Sequence, residues 1–270
     1  MAARLDQIVA ATRRRVSAAR KNPHELEQQA SQHTPRGFRR ALGKASHEGV
    51  AVVAELKKAS PSRGLIRSDF EPRKLALELA DAGAAALSVL TDEEFFQGSL
   101  ENLRVASRAA ELPCLRKDFI VDEFQLMEAR ANCADAVLLI VAALSPSELN
   151  SLAARSREIG LDVLCEVHDE TELKRALDAG CDLIGVNSRD LRTFKVDLNT
   201  ALRMGKVIPR NVLAVAESGI ESGHDIARLR AEGYGAFLIG ESLMKAPSPG
   251  HALRSLLSTV TNTRYPVPST

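Results

Sequence analysis

Val50-Ala51-Val52-Val53-Ala54-Glu55-Leu56-Lys57-Lys58-Ala59-Ser60-Pro61-Ser62-Arg63-Gly64 is the stretch that decides the fold. Its first residues form a short, unbroken, β-branched apolar run, the pattern of a strand buried on both faces. The run ends in charge, and Ser60-Pro61-Ser62 cannot continue a strand. On such a strand Ala51, Val53, Glu55 and Lys57 share one side. A buried strand thus delivers a carboxylate and an ammonium at its C-terminal end, although a surface ion pair would read the same from this stretch alone. A doubly wound open sheet usually carries a glycine-rich turn after its first strand. Here Glu55-Leu56-Lys57-Lys58 stands in that place, which favours a barrel.

A regular alternation follows. Apolar, strand-like runs occur at 50–56, 85–90, 113–115, 136–141, 163–165, 183–186, 212–215 and 236–239. Helical patterns lie between them, such as Leu75-Leu79-Ala82, Leu126-Ala129-Arg130, Leu149-Leu152-Ala153 and Leu173-Ala176-Leu177. Gly83, Gly160, Gly180 and Gly233 close helices and suit the left-handed C-terminal cap. Strands alternating with helices at this spacing require parallel pairing and right-handed crossovers. Eight such units in about 210 residues match a (β/α)8 TIM barrel of the α/β class. A linker rich in Pro, Gly or Ser is missing from the repeat, so we expect one domain: an N-terminal helical extension over 1–48, the barrel over 49–260 and a tail over 261–270. Within the extension the reading is a helix over 3–21, a second capped by Asn22 with Pro23 at its first position, and a loop over 33–49 holding one helical turn at 38–42.

Composition narrows the function. The chain has 270 residues and a formal net charge of +1, which gives no electrostatic case for nucleic acid. Trp is absent and aromatics make up 4%, so base-stacking platforms are not expected either. No apolar run approaches the roughly 18 residues of a membrane span. Cys114, Cys133, Cys165 and Cys181 form no C-x-x-C pair and have no His at ligand spacing, so we expect no metal and a reducing, cytoplasmic setting. The Arg-rich start (Arg4, Arg13, Arg14, Arg15, Arg20) overlaps in composition with a transit peptide. Leu5, Ile8, Val9, Thr12 and Val16 follow helical spacing, however, and an amphipathic helix packed on the domain is the preferred reading.

In a barrel the chemistry sits where strands end. Alternation along each strand puts Lys57, Lys117 and Arg189 on the same sides as inward apolar residues, and likewise Glu55, Glu166, Glu217 and Asn187. Three cations and three carboxylates would then meet at one mouth, while Lys58 and Arg116 point outward as solvated or helix-packing charges. Ser218-Gly219-Ile220 and Gly240-Glu241-Ser242 place glycines at the last two strand tips. Those loops are the usual phosphate site of the fold, and Gly219 and Gly240 let backbone N–H groups approach an anion. Phe96 and Phe119 either line a pocket for an aromatic ring or pack in the core. His168 is expected to turn away from Glu166 and to serve a structural or capping role at a helix beginning with Asp169 to Glu172.

Several motifs together resemble indole-3-glycerol-phosphate synthase. They are Ala54-Glu-Leu-Lys-Lys-Ala-Ser-Pro-Ser62, Ser88-Val-Leu-Thr-Asp92 with Phe95-Phe-Gln-Gly-Ser99, Leu115-Arg-Lys-Asp-Phe-Ile120, Glu166-Val-His168, Gly185-Val-Asn-Ser-Arg-Asp-Leu191, Glu217-Ser-Gly-Ile220 and Ile239-Gly-Glu-Ser-Leu-Met244. The likeness runs over 8–257, and its main departure is Ser188, where many relatives carry a second Asn. It implies a small-molecule substrate, 1-(2-carboxyphenylamino)-1-deoxyribulose 5-phosphate. Ring closure with loss of carbon dioxide and water would give indole-3-glycerol phosphate in tryptophan biosynthesis, with no metal and no organic cofactor. By this resemblance Lys117 is the acid of ring closure and Glu166 the base of dehydration, with Glu55 the alternative base. Lys57 would be a second acid, and Asn187 and Glu217 would orient hydroxyls or hold the lysines. Lys57 and Arg189 suit the substrate carboxylate, Phe96 and Phe119 its ring, and Ser60, Ser218, Gly219, Gly240 and Glu241 complete the binding set. Association with other tryptophan-pathway enzymes stays open. The rival readings are phosphoribosylanthranilate isomerase, whose acid–base pair finds no match at the first and fifth strands, and a non-catalytic sugar-phosphate-binding barrel.

Overall fold

The computed structural model describes residues 5–19, 23–190 and 193–261. Three helices open it: α1 (Leu5–Ala19), α2 (Pro23–Ser31) and α3 (Phe38–Glu48). The barrel strands follow as β1 (Ala51–Leu56), β2 (Ala86–Leu90), β3 (Cys114–Lys117), β4 (Ala136–Ile140), β5 (Asp162–Val167), β6 (Leu183–Asn187), β7 (Leu213–Glu217) and β8 (Ala236–Ile239). Each pairs in parallel with its neighbours, and β8 pairs with β1, so the sheet closes into the expected (β/α)8 barrel. The outer helices are α4 (Pro72–Asp81), α5 (Glu93–Phe96), α6 (Leu100–Ala109), α7 (Glu123–Ala131), α8 (Pro146–Glu158), α9 (Glu170–Asp178), α10 (Leu198–Gly205), α11 (Gly223–Ala231), α12 (Glu241–Lys245) and α13 (Pro249–Thr261). No helix among the described residues is long and apolar enough to cross a membrane.

Strand alternation sorts the core into two layers. Val52, Ala54 and Leu56 of β1 pack outward with helix residues such as Leu75 and Leu79. Ala51 and Val53 point inward and meet Leu115, Leu138, Leu164, Leu183, Val215 and Leu238 from the other strands. Register then brings the strand tips to common levels. Leu90 stands beside Lys117, Ile140 beside Glu166, and Asn187 beside Glu217. Gly83, Gly160, Gly180 and Gly233 all have positive φ after their helices, as expected of left-handed caps. Cys133 takes the same conformation after α7, at φ 65°, where the sequence carries no glycine.

One expectation for the extension changes. The segment read as a loop with one turn is the helix α3, whose Phe38 and Leu42 are fully buried in the barrel's inner cluster. They sit with Ala51, Ala86 and Leu183 from the starts of β1, β2 and β6, so α3 caps the end of the barrel opposite the strand tips. Its N-cap is Gly37 in the left-handed region, with no side-chain cap, and so lacks the Ser, Thr, Asp or Asn signal that marks a helix start. Asp135 anchors the connection before α3, accepting from the Arg36 backbone N–H at 2.6 Å and from its guanidinium at 2.6 Å. For α1, Ile8, Thr12 and Val16 form the buried stripe that the periodicity predicts. The Asn22 cap, the ends of the 3–21 helix, Leu191 and the residues after 261 lie outside the described residues.

Candidate active site

Beyond β1 the chain folds into a small antiparallel ribbon, Ala59–Ser60 with Gly64–Leu65. Ser60-Pro61-Ser62-Arg63 therefore lies over the strand tips rather than simply ending the strand. Arg67 ties this ribbon to the C-terminal end of α12 by donating to the carbonyls of Met244 and Ala246 at 3.2 and 3.0 Å. Beneath it opens a pocket of about 490 Å³. Its lining includes every residue expected from the sequence: Glu55, Lys57, Ser60, Phe96, Lys117, Phe119, Glu166, Asn187, Arg189, Glu217, Ser218, Gly219, Gly240 and Glu241.

At the floor, Lys117 sits between two carboxylates. Its Nζ donates to Glu166 Oε2 at 2.9 Å and to Glu217 Oε2 at 3.0 Å. Lys57 Nζ donates to Glu55 Oε1 at 2.6 Å. Both lysines extend into the pocket, and the three carboxylates are buried. Burial by itself would lower the Lys117 pKa, but the charges of Glu166, Glu217 and Glu55 outweigh it and hold the group well above the ordinary ammonium range. Burial pushes Glu166 up, yet Lys117, His168 and hydrogen bonds from Lys117 and Asn187 bring it below its usual value. Glu217 is the exception. Burial together with the charges of Glu166 and Glu55 overcomes Lys117 and raises it to about 7. The floor thus holds a charged lysine, an ionised Glu166 and a Glu217 that keeps its proton well above the ordinary carboxylate range.

The glycines at this level make room for carboxylates. A Cβ on Gly185 would stand 2.1 Å from Glu217 Oε1, and one on Gly240 would stand 2.5 Å from Glu55 Oε1. Gly240, expected only to approach an anion, also clears space for the β1 carboxylate. Gly219 has φ 79° and Ser218 has φ 65°, a left-handed pair rare for a non-glycine residue. Glu241 occupies the same end of the pocket. Its carboxylate meets Arg63 at 2.9 Å, Arg189 at 3.2 Å and Lys245 at 2.6 Å.

The opposite wall is apolar. The Phe96 and Phe119 rings are tilted by 38° with centroids 6.2 Å apart, and Leu90, Leu138 and Ile140 continue the surface. Leu5 and Ile8 of α1 also line the pocket. The sequence signals only that these two share a helix face, not that the face closes a pocket. Arg63 and Lys245 likewise carry no signal in the sequence, since neither stands at a strand tip. Among the described residues no group of three His, Cys, Asp or Glu side chains could hold a metal ion.

Two neighbours of the floor complete the picture. Arg116 points outward as expected, and it packs against α7 rather than solvent. It is 1% exposed and pairs with Asp118 and Glu128 at 2.8 Å each. Asp118 also accepts from Thr91 at 2.7 Å and meets Arg15 of α1 at 3.4 Å. His168 departs from expectation. Residues two apart on a strand share a side, so the ring lies toward Glu166, with Nε2 3.6 Å from Glu166 Oε1. The cap of α9 is Asp169, whose Oδ1 accepts from the Glu172 N–H at 2.8 Å, while the His168 backbone N–H donates to Glu172 Oε2 at 2.8 Å.

Comparison with known proteins identifies the family. The family profile described as indole-3-glycerol phosphate synthase matches residues 5–256. A protein named indole-3-glycerol phosphate synthase from Koribacter versatilis is 59% identical over 261 residues, covering 95% of this chain and all of that one. Another so named, from Acidithiobacillus ferrooxidans, is 52% identical over 223 residues, covering 82% and 85%. A third, from Acinetobacter baumannii, is 48% identical over 239 residues, covering 87% and 88%. Among solved structures, thiamine phosphate pyrophosphorylase from Pyrococcus furiosus aligns with a TM-score of 0.58 at 17% identity, over 79% of this chain and 96% of that one. Mandelate oxidase with (S)-2-phenylpropionate aligns at 0.57 and 18%, over 79% and 70%; both likenesses concern the fold alone. The chain belongs to the indole-3-glycerol phosphate synthase family.

Proposed function

We propose that this chain converts 1-(2-carboxyphenylamino)-1-deoxyribulose 5-phosphate to indole-3-glycerol phosphate, with Lys117 and Glu166 as its central acid–base pair. The observation that carries the reading is the Lys117 ammonium held between Glu166 and Glu217 at the floor of a 490 Å³ pocket. A pocket of that size suits a drug-sized ligand. The aromatic ring of the substrate lies on Phe96, Phe119 and the aliphatic wall. Its phosphate lies at the opposite end, against the amides of Ser218-Gly219 and Gly240-Glu241, where Arg63 and Lys245 supply positive charge. Glu241 holds those cations and Arg189 in place. Arg189 and Lys57 receive the anthranilate carboxylate.

The steps follow from the charge states. Lys117 is charged and gives its proton to the ketone oxygen as the ring carbon bearing the carboxylate attacks the carbonyl. Carbon dioxide leaves, and the ring regains aromaticity. Glu166 is ionised and takes a proton from the carbon beside the new hydroxyl-bearing centre, while Lys57 protonates the departing hydroxyl. Glu166 then lies 2.9 Å from the Lys117 amine and can return its proton there. Asn187 donates to Glu166, and Glu55 holds Lys57. The reaction proceeds in the cytoplasm, where the four free thiols Cys114, Cys133, Cys165 and Cys181 stay reduced. Mixing purified protein with the synthetic substrate and following indole fluorescence tests the reading. Product should form with wild-type protein and fall by about 10²–10⁴-fold with Glu166→Gln. Binding without product would instead favour a sugar-phosphate sensor.

A further inference from the structure

His168 follows β5 and does not line the pocket, yet it reaches the base from outside it. Nδ1 lies 3.0 Å from Glu172 Oε2, and the same carboxylate accepts the His168 backbone N–H at 2.8 Å. A carboxylate at Nδ1 fixes the hydrogen there and turns Nε2 the other way. That atom is buried and lacks a hydrogen-bond partner, and Glu166 Oε1 stands 3.6 Å from it. A neutral ring would set the Nε2 lone pair against a carboxylate oxygen. An imidazolium would set an N–H there instead.

We propose that His168 is a positioning residue for Glu166: as an imidazolium held by Glu172, it directs Nε2–H at Glu166 Oε1 and keeps that carboxylate ionised. Glu166 is then held on both oxygens, by Lys117 on Oε2 and by His168 on Oε1. In a site without substrate, contacts of this kind are often long. The carboxylates facing the ring are Glu166 on β5, Glu172 on α9 and Glu217 on β7, and the Lys117 ammonium stands beyond them, bonded to Glu166 Oε2 and Glu217 Oε2. Burial lowers the imidazole pKa, but these three outweigh it and raise it above the ordinary value. The inference rests on Glu166 being the base, as proposed above.

The test is the pH dependence of kcat for wild type and His168→Gln, read by indole fluorescence. An opposite charge within ~4–6 Å lowers a carboxyl pKa by about one unit or more. His168→Gln should therefore move the acid limb up by about one unit. Below the limb kcat falls about tenfold, and above it kcat recovers. KM stays close to wild type, because the ring does not line the pocket. Superimposed profiles, or an equal loss of kcat at every pH with a lower melting temperature, would overturn the role. If His168→Gln does not fold, Glu172→Gln decides: a smaller upward shift of the limb supports the role, and an unmoved limb overturns it. Wild-type protein that makes no indole product would instead sink the proposed reaction itself.

Discussion

Replacing Glu217 with glutamine removes a carboxylate that is 2% exposed and whose pKa is raised to about 7 from an ordinary 4.5. The sign of its effect on stability follows from proton counting. Between those two values the folded chain binds the proton and the unfolded chain does not, so stability falls as pH rises through that window. The loss reaches about 3 kcal/mol once pH passes 7, because each pH unit between the two values costs ~1.4 kcal/mol. Glutamine keeps the shape and still offers Lys117 an oxygen, but it has no charge to bury. Glu217→Gln should thus melt near the wild-type temperature at pH 4.5 and progressively above it as pH rises. At pH 8 the gain is roughly 5–10 °C for a chain of this size. Differential scanning fluorimetry over pH 4.5 to 8 reads it directly, and activity should fall because a group holding Lys117 has lost its charge. A melting difference that is flat with pH, or that favours wild type at pH 8, would refute the assignment of a carboxyl forced toward neutrality by Glu166 and Glu55.

Other substitutions probe separate parts of the site. Gly185→Ala puts a methyl group 2.1 Å from Glu217 Oε1 and must displace that carboxylate, so kcat should drop sharply while the far-ultraviolet circular dichroism spectrum stays that of the wild type. Arg116→Ala leaves Asp118 buried without its guanidinium, and urea unfolding should show a loss on the order of 3–5 kcal/mol. Arg116 and Asp118 together to Met and Asn should recover part of that loss. Ile8→Asp places a charge in the α1 wall of the pocket and should raise KM much more than it lowers kcat.

Much of this architecture was legible because strand parity is a strict rule. Alternation from Ala51 to Lys57 and from Leu115 to Lys117 assigned the inward side, and the two core clusters divide along that line. The same period of two puts His168 on the side of Glu166, where the structure has it, against the expectation that it turns away. The α3 helix was hidden for a different reason. Its stripe is only Phe38, Leu42 and Ala45, it begins at an uncapped glycine, and its partner is the far end of a barrel that no local pattern describes. Arg63, Lys245, Leu5 and Ile8 reach the pocket through tertiary placement of a ribbon, a short helix and a docked helix. Single-chain spacing carries no such information. Glu241 was legible by position, but the three cations gathered on its carboxylate were not.

Lys117→Ala, compared with wild type in separate measurements of substrate binding and of single-turnover indole formation, bears most directly on the chemistry. Deleting the ammonium between Glu166 and Glu217 should leave substrate affinity within a small factor and slow indole formation by about 10²–10⁴-fold. A variant that binds substrate and still forms indole at a near-normal rate would contradict Lys117 as the acid of ring closure.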